Sequence, residues 1–290
     1  MIYDVRHRTT FGYEDRVSVS QHVLHLMPRN TSSQTRSKFD LTVIPDPNSM
    51  AVSNDYFGNV IHHLSVQEPH SELVIEAQSR VDVIARNVDN ADLGPPWEEI
   101  VASVSASPSV AQFIYDSPYA LRDAAVRNFA LETFIAGRPI AAAAMDLTTR
   151  IYTGFKYEGG VSDVSTPVKQ VLEMRKGVCQ DFAHLELACI RSLGLPARYV
   201  SGYLMTHPPA GKEKLIGADA SHAWIAVWCG PSLGWIDFDP TNGLIPSIEH
   251  VTVAWGRDYG DVSPINGFIL GGGSHEVRVA VDVTPVAVAA

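Results

Sequence analysis

Hydrophobic and polar positions change their period along this chain, and the change divides it. Up to about residue 85 the period is two. Phe39-Asp40-Leu41-Thr42-Val43 and Leu73-Val74-Ile75-Glu76-Ala77 alternate as half-buried strands do. Phe57-Gly58-Asn59-Val60 reads as a tight turn between strands, with Gly and Asn supplying positive φ. Short strands broken by turn signals predict a β-sandwich. Residues 86–117, with Gly94-Pro95-Pro96, show no period and read as a linker.

Beyond that the period lengthens. A helix is expected from Ser117 as N-cap, with Pro118 at its first position, to Gly137. A second starts at Pro139, with Ile140, Ala144, Leu147 and Ile151 on one face, and a third near Pro167 carries Val168, Val171 and Leu172. In the stretch beginning Lys176-Gly177-Val178-Cys179, Phe182, Ala183, Leu187 and Ile190 recur at three- and four-residue intervals. That is a buried helix, stopped by Gly194 and Pro196. Ala197 to Leu204 returns to strand. Ser221 to Trp228 and Trp235 to Asp239, joined by a Gly/Pro turn, predict an antiparallel hairpin. The tail alternates from Val277 to Val283 and fits either sheet. Gly271-Gly272-Gly273 lacks the Lys-Ser/Thr of a phosphate loop and reads as a turn.

Helices followed by antiparallel strands give an α+β class. The expected division is a β-rich N-terminal domain over 1–90, a linker over 91–116, an α+β domain over 117–265, and a C-terminal β segment over 266–290 packing on one of the two.

The chemistry starts from Cys179. It falls at a helix start, where unpaired backbone N–H groups and the helix dipole favour an anion. Free cysteines are more often small core residues, so partners decide. Pairing Trp228 with Trp235 sets His222 opposite Thr241, and a two-residue shift sets it opposite Asp239. Asp237 shares that face but is farther from His222. Cysteine, histidine and aspartate are the set that thiol acyl transfer uses. His184 lies about 140° around the helix from Cys179 and is a poor base for it. Cys189 reads as core, and Cys229, at the hairpin turn, as more exposed but without a base.

Composition removes several classes. A net charge of −10 without a basic stretch argues against nucleic acid. No apolar run of about eighteen residues predicts a membrane span. An N-terminus without an apolar signal core, together with three cysteines that cannot pair evenly, predicts a cytoplasmic protein. His22, His25, His62, His63 and His70 match no metal template, so neither a metal nor another cofactor is expected. Oligomeric state is not written in any of these patterns.

Three segments resemble the core motifs of the bacterial transglutaminase-like superfamily, within the wider papain-like thiol enzymes. They are Gly177-Val178-Cys179-Gln180-Asp181, Ser221-His222-Ala223-Trp224, and Gly234-Trp235 through Asp239-Pro240-Thr241-Asn242. Pro28-Arg29, Asp55-Tyr56-Phe57-Gly58-Asn59 and Pro69-His70 resemble the β-rich region that precedes this core in many bacterial members. The resemblance implies a papain-like core of helices plus an antiparallel sheet, and amide cleavage or exchange through a cysteine thioester. The expected activity is that of a cysteine peptidase or amidase on a peptide or protein amide. Cys179 would attack, His222 would pass the proton, and Asp239 would orient His222. A transglutaminase handing the acyl group to an amine would use the same residues. A non-catalytic peptide-binding module is the third reading, against which the presence of all three residues speaks.

The remaining assignments have two sides each. Tyr157 is the candidate second oxyanion donor beside the Cys179 N–H, or a half-buried tyrosine packing under the helix. Asp181 is a cap or a substrate-orienting residue. Trp224 and Trp228 share the His222 face and either wall a groove or fill core. The polar stretch from Met205 to Ala220 is a gating loop or a plain surface connection.

Overall fold

One 23-residue strand, β1 (Ile2–Leu24), is the spine of the N-terminal sheet in the computed structural model, which describes residues 1–85, 94–206 and 220–286. It is followed by β2 (Gln34–Ile44), β3 (Ser49–Asn54), β4 (Val60–Val66) and β5 (His70–Val83). Then come two short helices, α1 (Trp97–Ser103) and α2 (Pro108–Ala111), each followed by a single tighter turn. The rest runs α3 (Ala124–Leu131), α4 (Ile140–Gly154), β6 (Lys156–Tyr157), α5 (Val168–Met174), β7 (Lys176–Gly177), α6 (Cys179–Ser192), β8 (Ala197–Leu204), β9 (Ala220–Trp228), β10 (Trp235–Phe238), β11 (His250–Gly256), β12 (Ile265–Gly271) and β13 (His275–Pro285).

The first half of β1 pairs β5 on one edge and β13 on the other. The register breaks between Gly12 and Val17, and the second half pairs β4 and β12. A single sheet therefore runs through the break. Residues from both halves, among them Val17, Leu24, Val43, Leu64, Leu73 and Ile75, close over one core. The sandwich-like region is thus one bent sheet, because β1 is long enough to belong to both halves. The tail's alternation is resolved too: Val277 to Val283 pairs with β1, as part of the N-terminal sheet and not of the sheet that carries His222.

The second sheet has the order β10-β9-β8-β11, and α6 packs against it. Every residue of α6 from Asp181 to Arg191 is buried. Most of its buried polar groups have partners within the protein, Glu186 Oε2 being left without one. The Arg191 guanidinium donates to the Ala197 carbonyl at 2.8 and 3.1 Å and to Ser117 Oγ at 3.1 Å. Thr148 donates to Glu186 at 2.6 Å, and burial pushes the Glu186 carboxyl well up. Ile140, Ala144, Leu147 and Ile151 of α4 are all fully buried, as their spacing requires.

Three expectations change. Ser117 caps no helix: its hydroxyl is taken by Arg191, and it closes a turn with Ala120. The helix there starts at Ala124, where Asp123 accepts from the Ala125 N–H at 2.7 Å. The linker contains α1 and α2, too short to display a helical period. Strand β11 had no counterpart in the sequence reading. Residues 207–219 of the expected gating loop lie outside the described residues, as do 86–93 of the linker. No helix among the described residues is long and apolar enough to cross a membrane.

The N-terminal sheet is fastened to β11 by buried polar bonds. Asn59, fully buried, donates to Asp55 at 2.6 Å and to the Trp255 carbonyl at 2.8 Å, and accepts from the Trp255 N–H at 3.0 Å and from Arg29. The Arg29 guanidinium stacks 3.6 Å above the Trp255 ring. Gln34 exchanges two 2.8 Å bonds with the Thr252 backbone. The Asp55-to-Asn59 turn and Arg29 therefore form this junction. Asn59→Ala strands several of these groups at once and should cost about 3 kcal/mol. Calorimetry should show a melting temperature lowered by about 6–12 °C; an unchanged one would remove the junction's structural role.

Candidate active site

Cys179 is the first residue of α6, and the local sequence explains why the helix starts there. Val178 has no side-chain acceptor to cap the helix. Asp181 reaches back instead, accepting from the Val178 N–H at 2.7 Å and from Ser162 Oγ at 2.5 Å. The carboxylate lies so close over residue 177 that a Cβ there would sit 2.7 Å from Asp181 Oδ2, hence Gly177. Asp181 is the cap of this helix. The Cys179 thiol stays partly exposed.

His222 comes from β9. Trp228 pairs with Trp235 as expected, and the ladder ends at Ile225 and Phe238. The chain then turns, bringing Asp239 Oδ2 to 2.8 Å from His222 Nε2. With Nε2 occupied, Nδ1 is the nitrogen left for the Cys179 thiol, and both side chains border one cleft. Two partners of Asp239 had no assigned role in the sequence reading. His250 Nε2 on β11 lies 3.0 Å from Oδ2, and Asn242 Nδ2 donates to it at 2.7 Å. The Thr241 and Asn242 N–H groups reach Oδ1 at 2.9 and 3.2 Å. Asn242 stood within a quoted motif, whereas His250 sat on an unassigned strand.

The electrostatics follow from burial against partners. Burial alone would raise the Asp239 carboxyl, but the bonds from His222, His250 and Asn242 hold it well below the usual carboxylate range. Burial alone would lower His222, but its bonds to Asp239 and Cys179 raise it to about 10. At neutral pH the pair is an imidazolium against a carboxylate.

A cleft of about 630 Å³ opens over Cys179 and His222. Gln180, Tyr199, Ser201 and Ala223 line it on their side, and β1 and β13 line the other. Tyr199 is fully buried, and burial, then the charge of Cys179, pushes its hydroxyl well up. Alternation along β8 puts Tyr199 and Ser201 on one face, a signal the sequence did contain. Tyr157 is 57 % exposed and packs edge-on against Phe182, instead of lying under the helix. Burial and the charges of Cys179 and Asp181 push its hydroxyl up.

Other candidates fall away from the cleft. Trp224 is fully buried with Val200 and Ala226, donating to Asp237 at 3.1 Å, and Trp228 packs on Trp235; neither lines the cleft. Cys189 is buried, its thiol against the Val126 carbonyl. Cys229 is fully buried as well, not exposed, because the segment carrying Gly94, Pro95 and Ile100 covers its turn. His184 accepts the Tyr259 N–H at 3.2 Å, and burial lowers its pKa to about 3. Among the described residues, His222, Asp239 and His250 bring donor atoms within 4.8 Å of one another, close enough for a metal. Their 2.8 and 3.0 Å separations are those of hydrogen bonds. The N-terminal histidines form no such group among the described residues.

The buried pair has a defined pH window. His222 is raised, so its contribution to stability is complete below the free value of about 6.5 and fades as pH rises through about 10. Asp239 is lowered, so its contribution is complete above about 3.9 and lost on acidification. Asp239→Asn should therefore cost about 3–5 kcal/mol near neutrality, with the deficit shrinking above about pH 10 and below about pH 4. A melting series across pH checks this; a deficit constant throughout would contradict the ion pair.

Comparison with known proteins agrees with this architecture. Residues 129–240 match the transglutaminase-like superfamily, and residues 3–82 match the bacterial transglutaminase-like N-terminal region. An uncharacterized protein of Mycobacterium tuberculosis is 41% identical over 291 residues, covering 98% of this chain and 92% of that protein. One of Mycobacterium leprae is 32% identical over 288 residues, covering 98% of each. The crystal structure of a candidate cysteine protease from Cytophaga hutchinsonii shares the fold, with a TM-score of 0.76, 23% identity, and coverage of 100% of this chain and 92% of that one. The chain belongs to the transglutaminase-like superfamily, in the form that carries the bacterial N-terminal region.

Proposed function

We propose that this protein is a cysteine-dependent hydrolase of peptide or protein amides. The observation that carries the reading is that Cys179, at a helix start, borders one cleft with a histidine that Asp239 holds at 2.8 Å. The thiolate attacks the amide carbonyl, forming the C–S bond. His222 gives its proton to the amine nitrogen as the C–N bond breaks. Water then adds to the thioester, His222 takes its proton, and the acid leaves as the C–S bond breaks and the thiolate is restored beside the imidazolium. The oxyanion faces the Cys179 N–H, which has no partner within its own helix. The exposed Tyr157 hydroxyl is the candidate second donor. Hydrolysis is favoured over amine transfer because the thiol is partly exposed, so water reaches the thioester.

Three measurements test this. Cys179→Ala should lower the hydrolysis of peptidyl anilides by about a thousandfold or more, while Cys189→Ala retains it; the reverse result would overturn the assignment. Mass spectrometry of products formed with a primary amine present should find the free acid in excess. Predominant amide product would make the protein a transglutaminase. His222→Ala should slow iodoacetamide alkylation of Cys179 near pH 6 by about tenfold or more. A rate indifferent to His222 would favour a binding module.

A further inference from the structure

The wall facing Cys179 comes from the far ends of the sequence. Alternation places Thr9 and Phe11 of β1 and Val277, Val279 and Val281 of β13 on one face, with Thr9 paired to Val279 and Phe11 to Val277. At its deep end this face belongs to the main core, where Val281 and Val283 are buried. Farther along the same strand the apolar pattern continues after the core has ended. Val279 is 54 % and Val277 47 % exposed, both on the cleft. A strand that keeps valines facing outward leaves apolar surface to be covered by something else.

The described lining of the same cleft is poor in charge. Among the described residues that line it there is no aspartate, glutamate, lysine or arginine, in a chain of net charge −10. The imidazolium of His222 is already matched by Asp239. The polar groups of the β1 wall are matched too: His7 bonds Tyr203 at 3.1 Å and Thr9 at 3.0 Å. Burial lowers His7 to about 4, so it is neutral near pH 7. A charged substrate side chain entering here would lose water without gaining a partner, whereas an apolar one would cover the valines.

From the apolar face of β1 and β13 and the lack of acidic and basic side chains among the described residues that line the cleft, we propose that the amide substrate carries a bulky apolar side chain beside the scissile bond. The N-terminal sheet is then the specificity wall of the enzyme. The inference rests on the hydrolase reading and adds the class of substrate to it.

The test is cleavage of a defined mixture of unstructured peptides by the full chain, with products read by mass spectrometry. Rates are divided by the concentration of Cys179 that iodoacetamide titrates in each preparation, which removes differences in folding. Wild-type protein should cut where Leu, Ile, Val or Phe lies within two residues of the bond, about tenfold or more faster than where Asp, Glu, Lys or Arg lies there. Val279→Lys should reduce cleavage beside apolar residues about tenfold and raise cleavage beside Asp and Glu. Leu270→Lys, at a 63 % exposed position outside the cleft, should leave the pattern as it is. Peptides cut with no apolar preference, or a pattern that Val279→Lys does not shift, would overturn the specificity wall and leave the hydrolase standing. No cleavage of any peptide, despite a titratable Cys179, would overturn both.

Discussion

A carboxylate without solvent exposure must be neutralised where it lies, and Asp239 is such a carboxylate. Its Oδ2 takes His222, His250 and the Asn242 side chain, and its Oδ1 takes two backbone N–H groups. These donors come from β9, β11 and the turn after β10, so the last strands of the core converge on one atom pair. The imidazole that faces Cys179 is oriented as a consequence. A neutral substitute at 239 would leave the buried imidazolium of His222 without its counter-charge, which is costlier than losing a surface ion pair.

The cleft is assembled from parts that are remote in sequence. The wall that carries Cys179 and His222 comes from α6, β8 and β9, and the other from the first and last strands of the described chain. The length of β1 makes this possible. One half is covered by β5 and the other by β4, while β12 and β13 follow each other along its other edge. The triple glycine Gly271-Gly272-Gly273, all at positive φ, lets the chain pass from β12 to β13 where the register of β1 breaks. Nothing in the tail's alternation alone could choose its partner. The choice is made by side chains such as Val281 and Val283, which fit the main core.

Legibility in the sequence followed the range of the interactions involved. Helices α4, α5 and α6 and strands β8, β9 and β10 were readable because each carries its own continuous apolar stripe. Cys179, His222 and Asp239 were readable because a helix start and a hairpin register are local geometries. What escaped was decided from a distance. Ser117 and Asp123 are equally good caps by residue type, and Arg191, seventy-four residues from Ser117, removes the first from contention. Cys229 looks exposed on its turn until the segment near Ile100 is laid over it. His250 needed the neighbour relation of β8 and β11, which no local pattern contains. Tyr199 was within reach, since the alternation of β8 was read but its face toward the thiol was not weighed.

Strand β11 joins these two themes. At its start, His250 bonds Asp239; within it, Thr252 exchanges bonds with Gln34, and Trp255 with Asn59. The N-terminal sheet therefore holds the backbone of the strand that presents His250. A shift of β11 along β8 by one residue would turn His250 to the opposite face and remove a donor from Asp239. The register break between Thr252 and Ala254 shows that this pairing is not set by the ladder alone. Gln34 and Asn59, from the other sheet, pin it on either side of the break. Through that strand the N-terminal region acts twice on the same site: its face borders the cleft, and its polar side chains hold the partner of the partner of His222.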